Sequence, residues 1–187
     1  MNRIAIIVGS TRPGRNGKAV ADWALEMARQ RNDAQYELVD LLDFNLPILD
    51  EPYPAAMGQY TKPHTQAWAK AIGSYDGFVF VTPEYNHSTS GALKNAIDYL
   101  GKEWNNKAAA FVSYGSAGGV RAVEHLRGIM AELQVATVRG QVALSLFTDF
   151  ENFSVFKPGA HHAQTMNDMF NQLVAWSGAL RTLRTPA

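Results

Sequence analysis

Apolar residues along this chain form short β-branched runs that alternate with stretches of helical spacing. Arg3 to Gly9 (RIAIIVG) is a near-continuous apolar run, the mark of a parallel strand buried on both faces. After the polar stretch STRPGRNG, the segment from Lys18 to Arg31 sets Val20, Trp23, Ala24, Met27 and Ala28 along one side of a helix. A second strand is predicted from Tyr36 (YELVDL). The segment from Leu41 to Pro63, broken by Pro47, Pro52, Pro54 and Pro63, reads as a long surface loop. A short helix (HTQAWAKAIGSY), a turn at Asp76-Gly77 and a buried strand (GFVFVTP) follow. Leu93, Ala96, Ile97 and Leu100 then fall at helical spacing, KAAAFVSYG reads as a fourth strand, and Val123, Leu126, Met130 and Leu133 share a helix face. ATVRGQVAL supplies a fifth strand, and a last helix from Ala160 to Leu183 aligns Met166, Met169, Phe170, Leu173 and Leu180. Strands alternating with helices predict an α/β domain, a doubly wound parallel sheet with right-handed crossovers, over residues 1–187 without repeat or linker.

Composition narrows the function. With 17 basic against 17 acidic residues the net charge is zero, so no overall basic field favours nucleic acid or an anionic membrane, and a small-molecule partner is expected. The absence of cysteine excludes disulfides, zinc–thiolate sites and a thiol nucleophile, so redox chemistry would need a bound cofactor. The N-terminal apolar run of about five residues is too short for a signal-peptide core, and nothing approaches a membrane span, which predicts a cytoplasmic protein. The charges are unevenly placed: bases outnumber acids from Met1 to Arg31, and every charge from Asn32 to Tyr60 is acidic.

In open α/β sheets ligands bind beyond the carboxyl ends of the strands. Three polar, glycine-bearing loops fall there: Ser10 to Gly17, Pro83 to Ser90 and Ser113 to Gly119. In the first, Ser10, Thr11 and Asn16 offer short side chains, Arg12 and Arg15 offer guanidinium groups, and the next helix offers free amides, a set suited to phosphate. Gly9, Gly14 and Gly17 fit neither G-x-G-x-x-G nor G-x-x-x-x-G-K-[ST], which favours a terminal monophosphate such as that of FMN over a bridging pyrophosphate.

These segments, GSTRPGRNG, PEYNHSTSGALKNAID and SYGSAGG, resemble in order and spacing the signatures of the NADPH-dependent FMN reductase family of flavodoxin-like proteins, across roughly residues 4 to 140. The resemblance implies a three-layer α/β/α sandwich with a five-stranded sheet of order 2-1-3-4-5, and bound FMN reduced by NADPH or NADH. It also implies a homodimer or homotetramer. By residue, Ser10, Arg12, Arg15, Asn16 and Gly17 match the phosphate loop. Pro83, Glu84, Tyr85 and Asn86 match the segment along the ring and ribityl chain; Ser113, Tyr114, Gly115, Gly118 and Gly119 match the loop at the pyrimidine edge. Ser90 stands where the family commonly has proline, and as a cap it could still start the helix at Ala92.

Flavin chemistry needs flat contact on one ring face, donors at the polar edge and an open second face. Tyr85 and Tyr114 suit the ring border, and amides near Gly118 and Gly119 suit the edge. Hydride transfer needs no protein nucleophile, so no catalytic side chain is expected, and no G-x-S-x-G supports a hydrolase. A Glu84–Lys94 pair is a structural expectation. His87 is a candidate to line the open face; His161 and His162 should point to different sides and bind no metal. Phe147, Phe150, Phe153 and Phe156, every third residue, are expected to pin a loop to the core, to meet a second subunit or to wall a neighbouring active site. The expected reaction passes electrons from NAD(P)H through FMN to a quinone, azo dye, nitroaromatic, chromate or free flavin. The alternatives are a flavodoxin-type electron carrier, against which the zero net charge argues, and a non-enzymatic flavin-binding module.

Overall fold

The structure, a computed structural model, describes residues 1–184. Five parallel strands form one sheet: β1 (Asn2–Val8), β2 (Ala34–Asp40), β3 (Gly77–Pro83), β4 (Lys107–Gly115) and β5 (Val135–Ser145). Their order is β2-β1-β3-β4-β5, as expected. Helices α1 (Gly17–Arg29) and α5 (His162–Arg181) cover one face. Helices α2 (Pro63–Gly73), α3 (Gly91–Asp98) and α4 (Val120–Glu132) cover the other. Along β1, Ile4, Ile6 and Val8 enter the first layer and Ala5 and Ile7 the second. Burial on both sides is why that segment lacks polar alternation.

The Leu41–Pro63 segment is better ordered than its prolines suggest. It holds single 3₁₀ turns at Leu41–Phe44 and Ala55–Met57, and Leu41, Phe44, Leu46 and Tyr60 pack on the core. Side chains replace the missing backbone ladder. Asn95 donates to Pro47 O (2.7 Å) and accepts from Leu49 N (3.0 Å), while Glu51 accepts from the backbone of Thr61 and Lys62.

The Phe147–Phe156 stretch contains a small antiparallel hairpin, β6 (Phe150–Glu151) and β7 (Val155–Phe156). Phe150 is buried and Phe156 packs on Trp23 at 5.6 Å between ring centroids, whereas Phe147 and Phe153 are exposed and lie edge to face at 5.7 Å. Half of the aromatic string therefore serves the core. The last helix begins at His162 rather than Ala160 because buried Asp149 holds the preceding turn, accepting from Gly159 N (3.0 Å) and bonding the His162 ring (3.0 Å). The rings of His161 and His162 lie 4.0 Å apart, contrary to the expectation that they diverge. The Asp149 bond that holds the His162 ring sets one side of this pair.

At the sheet's far edge, β5 shifts register between the partners of Ala109 and Phe111. Arg127 donates to Val138 O (2.8 Å), and Gly140 N donates to the Gln172 side chain (2.9 Å), so side chains from α4 and α5 take up the backbone groups freed by this bulge. At the amino end of β4, Lys107 is buried and donates to the α2 terminus at Ile72 O (2.8 Å).

Candidate active site

Gly17 opens α1 because a Cβ there would stand 2.6 Å from the Tyr114 hydroxyl. The first helical bond runs from Val20 N to Asn16 O, and no side chain caps the turn before it, since Asn16 donates instead to Phe153 O (2.8 Å). A helix amino terminus carries unpaired N–H groups and partial positive charge, and here no side chain among the described residues caps it.

The two arginines of this loop have different surroundings. Arg15, largely buried, bridges both Asp40 oxygens and Ser10 O. Asp40 in turn caps the turn at Leu41 by accepting from Leu42 N (3.0 Å). Arg15, expected from the sequence as a phosphate ligand, thus uses its Nη donors to hold the loop to β2. Arg12 is exposed, forms no ion pair among the described residues and lies over the Tyr85 ring at 5.8 Å.

In the second loop, the Tyr85 hydroxyl shares a hydrogen bond with Ser10 Oγ (3.1 Å), joining the first loop to the second. Glu84 pairs with Arg121, not with Lys94, which is taken by Asp98 one turn along its own helix. The Glu84 carboxylate also accepts from Arg121 N (3.2 Å) and so caps α4, whose own cap residue is Gly119. Burial opposes its ionisation, but Arg121 prevails and holds the carboxyl below the usual carboxylate range. Ser90 caps α3 by accepting from Leu93 N (3.1 Å), and it also donates to Gly9 O. Its φ of −68° is the angle a proline ring imposes, so serine preserves the backbone of the family pattern.

In the third loop, Ser113 is buried and donates to Gly118 O (2.7 Å), and Gly118 N is used by Gly115 O (3.1 Å). Neither group points to a ligand; both shape the left-handed turn at Gly118 and Gly119. Tyr114 is buried, and its hydroxyl, beneath Gly17, has no hydrogen-bond partner among the described residues. Burial pushes that hydroxyl's pKa upward.

Parts of all three loops meet in one cleft of about 180 Å³. Arg12 and Asn16 come from the first, Pro83, Glu84 and Tyr85 from the second, and Tyr114 and Gly115 from the third. Ser10, Arg15, Gly17, Ser113, Gly118 and Gly119 support it from behind, and Thr11 lines a separate recess with Leu42 and Asn45. Asn86 and His87 lie outside the cleft on an exposed turn. Leu146 and Phe153 complete the wall, from a segment whose repeated phenylalanines were its only signal in the sequence. Phe153 belongs to the cleft of its own chain.

A model of the NADPH-dependent FMN reductase family matches residues 2–149. The chain belongs to that family. It is 41% identical over 168 residues to an NAD(P)H-dependent FMN reductase of Nectria sp, covering 85% of this chain and 83% of the relative. It is 37% identical over 132 residues to an NAD(P)H:quinone oxidoreductase of Solanum tuberosum, covering 68% and 66%. Among solved structures, the FerB flavoenzyme NAD(P)H:(acceptor) oxidoreductase of Paracoccus denitrificans superposes with a TM-score of 0.73 at 19% identity, over 96% of this chain and 98% of that one, which shows a shared fold. The cleft suits the family's FMN. An uncapped helix end and the Arg12 guanidinium, which forms no ion pair among the described residues, stand where a phosphate needs donors. A Cβ at Gly115 would press on Glu84 Cβ at 3.2 Å and on Gly119 N at 3.3 Å, so glycine lets the second and third loops approach closely at the cleft.

Proposed function

We propose that this reductase holds FMN in the three-loop cleft, draws reducing equivalents from NADPH or NADH, and delivers them to a small electrophilic acceptor. A quinone is the acceptor class best supported, by the plant relative. Azo dyes, nitroaromatics, chromate and free flavin share the required electrophilicity. The observation that carries the reading is the meeting of the uncapped α1 terminus, Arg12 and Gly115 in one cleft at the carboxyl ends of β1, β3 and β4.

Bound FMN supplies a ring that accepts hydride from the nicotinamide and gives it to the acceptor. The protein's work is binding and exclusion. Arg12 and the first amides of α1 would hold the phosphate, with Asn16 within the same wall. Tyr85 would border the ring, as would the part of Tyr114 that lines the cleft, and Phe153 with Leu146 would keep water from one side. Ser10, Arg15, Gly17, Ser113, Gly118 and Gly119 fix the loops that carry these groups. No side chain is assigned a proton-transfer role, since Glu84, the cleft's carboxylate, is held ionised by Arg121. No described helix is long and apolar enough to cross a membrane. A cytoplasmic location, one flavin-binding domain over residues 1–187, and a homodimer or homotetramer complete the proposal on the strength of the family resemblance.

Anaerobic addition of NADPH to the FMN-loaded protein tests the reading. Prompt loss of the flavin's visible absorption, and its return on adding a quinone, is the expected result. A flavin band that NADPH and NADH leave unchanged would mark an electron carrier or a passive binder instead.

A further inference from the structure

Beside the cleft, Tyr85 and Ser88 exchange backbone hydrogen bonds (Tyr85 N to Ser88 O, 2.8 Å; Ser88 N to Tyr85 O, 3.1 Å), closing a two-residue turn. Both central residues are left-handed, Asn86 at φ 48° and His87 at φ 73°. Such turns favour Asn followed by Gly, because only glycine takes the second position without steric cost. Here a histidine accepts that cost, and non-glycine residues forced into this region cluster where their side chains are used.

The His87 ring is exposed and faces that of His125 at 6.5 Å between centroids. His125 Nδ1 and Ser88 Oγ share a hydrogen bond (2.9 Å), which orients the imidazole and leaves Nε2 as its free nitrogen. Both rings line a recess of about 190 Å³ with Val120, Arg121 and Glu124. The Arg121 side chain is 41% exposed, and its bond to Glu84 makes the ion pair a partition between this recess and the flavin cleft. Glu124, the other charge present, lies 3.4 Å from Arg127 Nε, which offsets it. The recess thus presents two imidazoles and the part of the Arg121 guanidinium that Glu84 does not engage, and its one lining carboxylate, Glu124, lies beside Arg127.

We infer that this recess is an anion-binding subsite, formed by His87, Arg121 and His125, for the negatively charged substituent of a ligand lying over the neighbouring cleft. The chemistry is a sulfonate, carboxylate or phosphate, carried either by an aromatic acceptor or by the nicotinamide nucleotide. The inference rests on the reductase reading.

The test compares His125→Gln with the unaltered FMN-loaded protein, using naphthoquinone and its sulfonate as acceptors and NADPH and NADH as donors. The variant should lower kcat/KM for the sulfonate relative to the unsubstituted quinone by about tenfold, through KM, as expected for one lost charge-assisted bond. A fall in the NADPH:NADH ratio instead would assign the anion to the nucleotide. If neither ratio moves, the subsite is wrong. A readout free of turnover is titration with naphthalene sulfonate, which cannot be reduced this way, following the histidine ring resonances. Saturable shifts at His87 and His125 are expected, and their absence overturns the inference. His87→Gly should raise the urea midpoint by relieving the turn while weakening naphthalene sulfonate binding, so general unfolding cannot imitate the result. Failure of the unaltered protein to reduce plain naphthoquinone would count against the reductase reading, whereas the naphthalene sulfonate titration still decides the subsite.

Discussion

A guanidinium can serve a phosphate only with donors that the protein has not already engaged. Arg15 spends its own on Asp40 and Ser10 O, while Arg12, three residues earlier, forms no ion pair among the described residues. Replacing each by alanine should separate the roles. Arg12→Ala is expected to weaken FMN binding by about 2 kcal/mol, read as a roughly thirtyfold rise in Kd by flavin fluorescence, with little change in folding. Arg15→Ala should instead cost about 3 kcal/mol of stability in urea denaturation, because it strands the buried Asp40 carboxylate. Equal losses of FMN affinity in the two variants, with unchanged stability, would restore Arg15 to the phosphate site. The loop itself was legible in the sequence, because a polar stretch after a buried strand marks its position. The division of labour was not, since the partner of Arg15 lies 25 residues away on another strand and that of Glu84 lies 37 residues away on α4.

Among the elements, strands and helices were readable because burial on two faces or on one leaves different periods in the sequence. What stayed hidden was held by side chains acting on the backbone. The Leu41–Pro63 segment looked like open loop, yet Asn95 and Glu51 tie it down from positions with no local signal. The three-residue spacing of the phenylalanines suggested a uniform role, but the β6–β7 turn sends Phe150 inward and Phe153 to the cleft. Strand β4 carries a consequence for pH. Burial, with a contribution from Arg184, pushes the Lys107 pKa down to about 8 from 10.5. Between those values the unfolded chain binds the proton and the folded chain does not, so this group makes stability rise with pH from about 8 to about 10.5. Below that window the buried cation burdens the fold by an amount on the order of 3 kcal/mol. Urea midpoints measured across the window should climb in the natural protein and be flatter in Lys107→Met. An equal slope in both would show that the ammonium is better solvated than its burial suggests.

At the level of the whole molecule, the uneven charge of the sequence resolves into pairs. Arg3 meets Glu37, Arg15 meets Asp40 and Arg31 meets Asp33, so the basic amino-terminal segment is largely neutralised on and beside β2. The net charge of zero is therefore reached locally, and the expected positive field at the first loop shrinks to Arg12 and a helix end. The same arrangement decorates one outer strand with fixed charge, and the bulge of β5 occupies the other with Arg127 and Gln172. A sheet ends in rows of unpaired backbone groups that can recruit a further strand from another molecule. Here one border is fenced by ion pairs, and the other bends at its bulge, where Arg127 and Gln172 engage Val138 O and Gly140 N. Removing both side chains, in Arg127→Ala with Gln172→Ala, should produce species larger than those of the unaltered protein by light scattering on prolonged incubation, whereas an unchanged size would show that α4 and α5 shield the border without them. On this account the bulge is a guard against self-templating: a local irregularity in an outer strand would keep a sheet so rich in apolar residues from recruiting its own copies.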